Sequence, residues 1–312
     1  MIEYGFGSRN MSNPEKYREI RDLRLKYKSE GNPMANPMKI ILNGAYGSMK
    51  HEYNHLYDPK QANQVCVCGQ LLLIDLIEKL EKHCELVNSN TDGLFLRLYK
   101  SDDYDKIVAI CKEWETRTRM ELEFKQYKKI IQADVNNYLF IPDGKLYDEK
   151  GKPRWKAKGG YVKHLSELDY DLPIINKAIT NYFLYGVKPE DTINVCNDLK
   201  EYQKIVKVSS KYEQAIKDCT FTTVKGKRIW NNDGTVLPEK VFRVFASRSR
   251  NDGALFKHRT GENPNKFENT PENCFIENGD VNGVKIPRKL DKQYYINLTY
   301  KRIKEKFGID VL

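Results

Sequence analysis

The spacing of apolar and polar positions changes period several times along the chain, and each change predicts a different element. Residues 14–30 put Ile20, Leu23 and Tyr27 on one helical stripe and Arg21, Arg24 and Lys28 on a neighbouring one. Asn13 stands at the N-cap, Pro14 at the first helical position, and Gly31-Asn32-Pro33 stops the run. A second helix is expected from about Asn36-Pro37 through Tyr46, so the short Gly/Pro connection makes an antiparallel helical hairpin. A third helix is expected over about 61–84, with Leu73, Ile77, Leu80 and Cys84 facing a core.

Beyond Cys84 the period drops to two. Leu94, Leu96 and Leu98 alternate with other positions, and Asn90-Thr91-Asp92-Gly93 interrupts the run with turn chemistry. That pattern predicts a β-hairpin with a carboxylate at its tip. A helix is expected over 102–121, and strands over 123–162 around Pro142-Asp143-Gly144 and Lys150-Gly151. Helical spacing returns from about 171 to 208, gives way to a loop-rich, Asn-rich stretch, and closes with a helix over 292–307. Breaks in the pattern stand at Asn36, Lys60 and Leu165, and no repeat or low-complexity tract is present.

Composition narrows the setting. The 312 residues carry a net charge of +10, from 53 basic and 43 acidic side chains. No apolar run has the length of a bilayer, and the N-terminal residues lack the pattern of an export signal. A soluble, cytoplasmic protein with no membrane partner is expected. Seven cysteines, without a Cys-x-x-Cys pair, read as reduced thiols. Positive charge favours an anionic partner, and residues 125–163 concentrate it, with ten basic residues against four acidic ones. Tyr127, Tyr138, Tyr147, Trp155 and Tyr161 are interspersed there, a mixture suited to phosphate contact or equally to a solvated basic hairpin.

Two features carry candidate chemistry. Lys39, Asn43 and Tyr46 recur at i, i+4 and i+7, which puts a cation, an amide and an aromatic ring on one helical face able to grip a nucleotide. A plain solvated stripe has the same spacing. Asp92, between two strands, is placed to bind a hard cation such as Mg²⁺, although acidic residues in such turns also serve the turn itself.

Together these residues form a more specific pattern. Lys39-Ile-Ile-Leu-Asn43-Gly-Ala-Tyr46-Gly47 resembles the Lys-x-x-x-Asn-Ser-x-Tyr-Gly motif of family B DNA polymerases, and Asn90-Thr91-Asp92-Gly93 resembles their Asp-Thr-Asp-Ser motif. Arg24-x-x-x-Lys28 looks like the basic pair of the other fingers helix, with Arg21 as an alternative by register. Asp134-Val-Asn-Asn-Tyr138, followed by a Lys-rich turn and Lys158-Gly159, is similar to the duplex-holding hairpin of bacteriophage members. The resemblance implies an α+β right-hand polymerase: helical-hairpin fingers over 1–48, a partial antiparallel-sheet palm over 49–165, and a mostly helical thumb and C-terminal region over 166–312. It further implies that Arg24, Lys28 and Lys39 hold the incoming deoxynucleoside triphosphate, with Asn43 and Tyr46 lining its pocket. Lys39 and Asp92 would be catalytic, Asp92 would bind metal, and Thr91, Tyr138 and Lys158 would touch primer-template DNA.

The same resemblance implies two Mg²⁺ ions, which need two carboxylates. Asn90 stands where the family motif has its first aspartate, and Gly44 and Gly93 stand where it has serines. The family's other metal-binding aspartate, in Asp-x-x-Ser-Leu-Tyr-Pro, has no counterpart in this sequence. Glu3 and Asp134 are conceivable substitutes without supporting spacing. The expectation is therefore a polymerase part whose second aspartate comes from another polypeptide, one carrying the exonuclease and the remaining palm. In a viral setting its location would be the host cytoplasm. A non-catalytic module for single strands or primer-template DNA and an inactive fragment are the alternatives. His51-Glu52-Tyr53-Asn54-His55 also fits the zinc-protease pattern, provided those residues form a helix.

Overall fold

Asn13 and Pro14 open the first helix as their chemistry dictates. In the computed structural model, which describes residues 1–90, 93–162 and 172–310, α1 spans Pro14–Ser29 and the Asn13 side chain accepts from the Lys16 backbone N–H. Gly31, at φ +69°, takes the left-handed conformation that ends the helical run. α2 follows at Ala35–Ser48. The Tyr17 hydroxyl donates to the Leu42 carbonyl at 2.9 Å, tying the two helices.

Residues 1–125 form one compact unit, which also contains α3 (Pro59–Leu80), β1 (Cys84–Asn90), β2 (Gly93–Leu98) and α4 (Asp103–Thr118). Asp58 caps α3 by accepting from the Gln61 N–H, and Arg9 donates to the same carboxylate from its backbone and guanidinium at 2.8–3.0 Å. β1 and β2 pair antiparallel, with a bulge between Leu86 and Asn88. The core of this unit is Leu76, Leu80, Cys84, Ile107, Cys111 and Trp114, with Leu72, Leu94 and Leu96 packed against it.

Here the core stripe corrects the expected one. Leu72, Leu76 and Leu80 face inward, one residue off from Leu73 and Ile77. Leu71-Leu72-Leu73-Ile74 is apolar at four consecutive positions, so the sequence has no polar contrast to set the face. Trp114 sets it, packing into the cluster and donating its indole N–H to the Leu72 carbonyl. Leu98, expected beside Leu94 and Leu96, is exposed.

The second unit, residues 126–312, opens with a three-stranded antiparallel sheet of β3 (Lys129–Asp134), β4 (Asn137–Ile141) and β5 (Lys156–Lys158), β4 being central. Helices α5 (Pro173–Tyr185) and α6 (Pro189–Val195) and a short 3-10 turn (Leu199–Tyr202) follow. The helical spacing expected over 171–208 is thus realised as three pieces, and Lys204–Lys207 at its end is strand instead. Gly186, at φ +69°, ends α5, Pro189 opens α6, and Asp198 caps the 3-10 turn.

The loop-rich stretch of the sequence reading is mostly strand. β6 (Lys204–Lys207), β7 (Gln214–Lys217), β8 (Phe221–Val224), β9 (Lys227–Trp230), β10 (Thr235–Leu237), β11 (Val241–Ala246), β12 (Leu255–His258), β13 (Asn265–Lys266) and β14 (Cys274–Ile276) make three antiparallel sheets. Their orders are β10-β7-β12-β13, β14-β11-β6 and β8-β9. The mostly helical content expected of residues 166–312 is therefore corrected to a mixture. These strands run two to six residues, too short for period two to stand out, and their pairing with neighbours stabilises them. α7 (Lys292–Phe307) closes the unit where the sequence places it.

One core joins α5, α6, α7 and the β3–β4 pair around Ile174, Ile175, Ile179, Ile193, Tyr202, Tyr295 and Ile303. Tyr295 is buried at 1% exposure, and its hydroxyl accepts from the Ala246 N–H while donating to the Tyr202 carbonyl. A second cluster, including Val206, Ala215, Phe242, Val244, Leu255 and Cys274, joins the two larger late sheets. Among the described residues no helix is long and apolar enough to cross a membrane, and all seven cysteines are free thiols.

Candidate nucleotide and nucleic-acid site

On the helical hairpin, ion pairing sorts the cations. Arg18 and Arg21 both reach the Glu3 carboxylate, and Arg21 also pairs with Asp22 at 2.6 Å. Arg24, Lys28 and Lys39 have no ion-pair partner among the described residues. The Nε atoms of both Arg21 and Arg24 are buried without a hydrogen-bond partner among the described residues. A buried guanidinium nitrogen left unsatisfied costs free energy until an acceptor arrives, so its surroundings suit an anion.

α2 presents Lys39 and Asn43 on one exposed face, one turn apart, beside Gly44 and Gly47. Tyr46 is half-buried. Its hydroxyl meets the Cys66 sulfur at 2.7 Å, and the Lys50 ammonium lies 4.8 Å from its ring centroid. Lys50 and Cys66 are contacts that the motif reading misses. Lys50 is legible as the i+4 neighbour of Tyr46, whereas Cys66 leaves no local signal.

A cavity of about 680 Å³ lies in this unit, lined by Tyr4, Tyr17, Arg21, Asn43, Tyr46 and Glu121 among others. It brings Asn43 and Tyr46 together. Arg24, Lys28 and Lys39 do not line it, while Arg21, the register alternative, does.

Strands β1 and β2 end on the register pair Asn90↔Gly93. Thr91 and Asp92, which sequence reasoning makes the metal-binding centre, lie outside the described residues. Among the described residues no group of three or more His, Cys, Asp or Glu could hold a metal ion. Glu3 is engaged by Arg18 and Arg21. Asp134 accepts from the Asn136 N–H and the Asn137 amide, which hold its carboxyl below the usual range. The described residues therefore do not fit a resident metal pair by themselves. Residues 51–57 form turns, not the helix that a His-Glu-x-x-His zinc site requires.

In the second unit, Tyr138 on β4 and Lys158 on β5 are register partners. The Lys158 ammonium lies 5.7 Å from the Tyr138 ring centroid, and that ring stacks on Phe140 at 4.5 Å. Tyr138 is largely buried at 9% exposure, so its ring serves the sheet and leaves Lys158 as the outward charge of the pair. Gly159 follows at φ +90°, packed on the β3–β4 turn. A Cβ added there would stand 2.0 Å from Asn137 Oδ1 and 2.4 Å from the Asn136 carbonyl oxygen.

No family model matches the chain. It is 25% identical over 250 residues to DNA polymerase 1 of Sulfolobus acidocaldarius, and 25% identical over 248 residues to DNA polymerase 1 of Saccharolobus solfataricus. Each match takes in 73% of this chain and 24% of the relative. The chain thus spans about a quarter of the length of the curated relatives it matches, and it is related to DNA polymerases.

Proposed function

We propose that this chain is the C-terminal part of a template-directed DNA polymerase of family B, of bacteriophage type, acting on primer-template DNA with deoxynucleoside triphosphates. The observation that carries the reading is the helical hairpin. The cations that the polymerase resemblance selects, Arg24, Lys28 and Lys39, have, like Lys26, no ion-pair partner among the described residues, while the adjacent Arg18 and Arg21 are already held by carboxylates. An unpaired cation keeps its full capacity for a triphosphate, whereas a paired one must first break its own contact. The similarity to two archaeal DNA polymerases supports the same assignment.

In this reading Arg24, Lys28 and Lys39 neutralise the triphosphate, and Asn43 and Tyr46 border the sugar and base. Lys50 and Cys66 hold the Tyr46 ring in place. In the second unit Lys158, set in register beside Tyr138, contacts a duplex phosphate. The two Mg²⁺ ions of such a reaction would be shared between Asp92 and a carboxylate from outside these 312 residues. We assign that carboxylate to a second polypeptide with the exonuclease and the remaining palm.

Primer extension tests the reading, using this chain alone and then with the polypeptide supplying the remaining palm. Synthesis only in the mixture, abolished by Asp92→Ala, is the expected result. Synthesis by this chain alone would overturn the shared-carboxylate part.

A non-catalytic DNA-binding module is the second reading. The net charge of +10, which suits a polyanion with or without catalysis, favours it. It requires Asp92→Ala to leave DNA affinity intact and the mixture to stay silent.

A further inference from the structure

An asparagine followed by glycine can react with its own backbone, and the sequence has three such pairs, Asn43-Gly44, Asn278-Gly279 and Asn282-Gly283. The glycine nitrogen attacks the asparagine Cγ, a C–N bond closes a cyclic imide, and the side-chain nitrogen leaves as ammonia, taking the proton that the backbone nitrogen gives up. Water then opens the imide at one carbonyl or the other, to aspartate or to isoaspartate. The net change is amide plus water to carboxylic acid plus ammonia. Glycine favours the attack because no Cβ obstructs the approach. All six residues are exposed, so access to water does not distinguish the three pairs.

What distinguishes them is whether the reacting groups are already engaged. Asn43 and Gly44 lie inside α2, where each backbone N–H is committed to a carbonyl one turn back and the helical conformation keeps the Gly44 nitrogen from closing on the Asn43 Cγ. Asn278 is held on both sides of the reaction. Its Oδ1 accepts from the Arg243 N–H at 2.9 Å, the Gly279 N–H donates to the Glu277 carboxylate at 3.1 Å, and the Arg243 guanidinium donates to the Gly279 carbonyl. At Asn282 the attacking group is free. The Gly283 N–H has no hydrogen-bond partner among the described residues, and no atom stands within 4 Å of where a Gly283 Cβ would be. Asp280 accepts from the Asn282 N–H at 2.9 Å and from its side-chain nitrogen at 2.7 Å, so that contact falls on the leaving nitrogen and not on the attacking one. The turn hangs from a fixed base, since Val281 is buried in the core and its carbonyl accepts from the Val284 N–H at 3.4 Å.

We propose that Asn282 is a modification site of the folded protein, converting spontaneously to aspartate and isoaspartate while Asn278 and Asn43 keep their amides. The product adds a carboxylate near Asp280 and Glu277 in sequence and removes one unit of the chain's net positive charge. Isoaspartate also lengthens the main chain by one methylene, which an exposed turn takes up and a helix would not. The carboxylate it frees from the main chain is the group that S-adenosylmethionine-dependent carboxyl methyltransferases modify, so the turn becomes a substrate for that repair chemistry. Protection of Asn43 has its own consequence, because a carboxylate there would stand on the α2 face that carries Lys39. The inference goes beyond the polymerase reading and does not depend on nucleotidyl transfer.

The test incubates the full chain in neutral buffer and follows each Asn-Gly peptide by mass spectrometry, with isoaspartate detected by enzymatic carboxyl methylation. The Asn282 peptide should lose its amide several-fold faster than the other two. A parallel sample kept in urea, where turn and helix are undone, should lose all three at similar rates, which assigns the order to the fold and not to the dipeptide. Asn282→Gln, whose longer side chain closes the ring poorly, should remove most of the methyl acceptance and leave the circular dichroism spectrum unchanged. Equal rates at the three pairs in the folded chain would overturn the proposal, as would earlier loss at Asn278 or Asn43. An Asn282 amide that persists in the folded chain while the urea sample reacts would overturn it too, by showing that the turn protects this pair as well.

Discussion

Tyr138 and Lys158, twenty positions apart in sequence, face each other across β4 and β5 with the ammonium 5.7 Å from the ring centroid. The ring thus presents the charge instead of contacting a ligand with its own face. Lys158→Gln should keep the sheet intact and weaken duplex affinity several-fold, flattening the salt dependence by about 0.9. Anisotropy titrations at several salt concentrations check this. An unchanged slope would leave Lys158 a structural partner of Tyr138 alone.

Triphosphate binding separates the unpaired cations from the paired ones. Lys39→Ala, Arg24→Ala and Lys28→Ala should each raise the Kd for a fluorescent deoxynucleotide roughly tenfold, the scale of a lost charge-assisted hydrogen bond. Arg21→Ala should cost less, because Glu3 and Asp22 already hold that guanidinium. A larger loss at Arg21 would move the basic pair to the alternative register and into the cavity that holds Asn43 and Tyr46.

Acid should attack the first unit at Asp58. Hydrogen bonds from the Arg9 guanidinium and backbone, with a further one from the Gln61 N–H, hold its carboxyl well below the usual range. An unfolded aspartate titrates near ~3.9, so the stabilisation is complete above that pH and is lost as pH falls through the lower folded value. Asp58→Asn can still cap α3 but loses the charge. Urea denaturation at pH 7 and pH 3 should therefore show a large difference between the two proteins at pH 7 and a smaller one at pH 3.

Stability of the second unit should hinge on one hydroxyl. Burial pushes the Tyr295 phenol far up from its ordinary range, so it stays protonated while bridging the Ala246 N–H and the Tyr202 carbonyl. Tyr295→Phe leaves both backbone groups unpaired in the core and should cost about 1–3 kcal/mol. A lower urea midpoint with an unchanged denaturant slope is the expected readout.

Much of the helical framework was legible because its signals are local. Asn13 with Pro14 and Gly31 bounds α1, and the periodicity of residues 292–307 gives α7. The strands on either side of Thr91–Asp92 follow from Leu94 and Leu96, and the Lys39–Asn43 face from simple helical arithmetic. What local pattern could not supply was contrast or context. Four consecutive apolar residues at 71–74 hid the register of α3 until Trp114 settled it. The short strands between Lys204 and Ile276 gain their stability from partners distant in sequence, and β8–β9 has only four residues on each side. Which cations remain unpaired is likewise a tertiary fact, since Glu3 comes from outside the helix it neutralises.

Gly159 bears on how genetic variation at this hairpin should be interpreted. At φ +90°, with Asn137 Oδ1 and the Asn136 carbonyl where a Cβ would go, the position rejects every side chain for steric reasons, whatever its polarity. In a saturation library it should return glycine alone, even under selection for folding without any DNA. A depleted codon there is a marker of the β3–β4 turn's geometry, and it supplies the baseline against which depletion at neighbouring Lys158 becomes a measure of ligand contact.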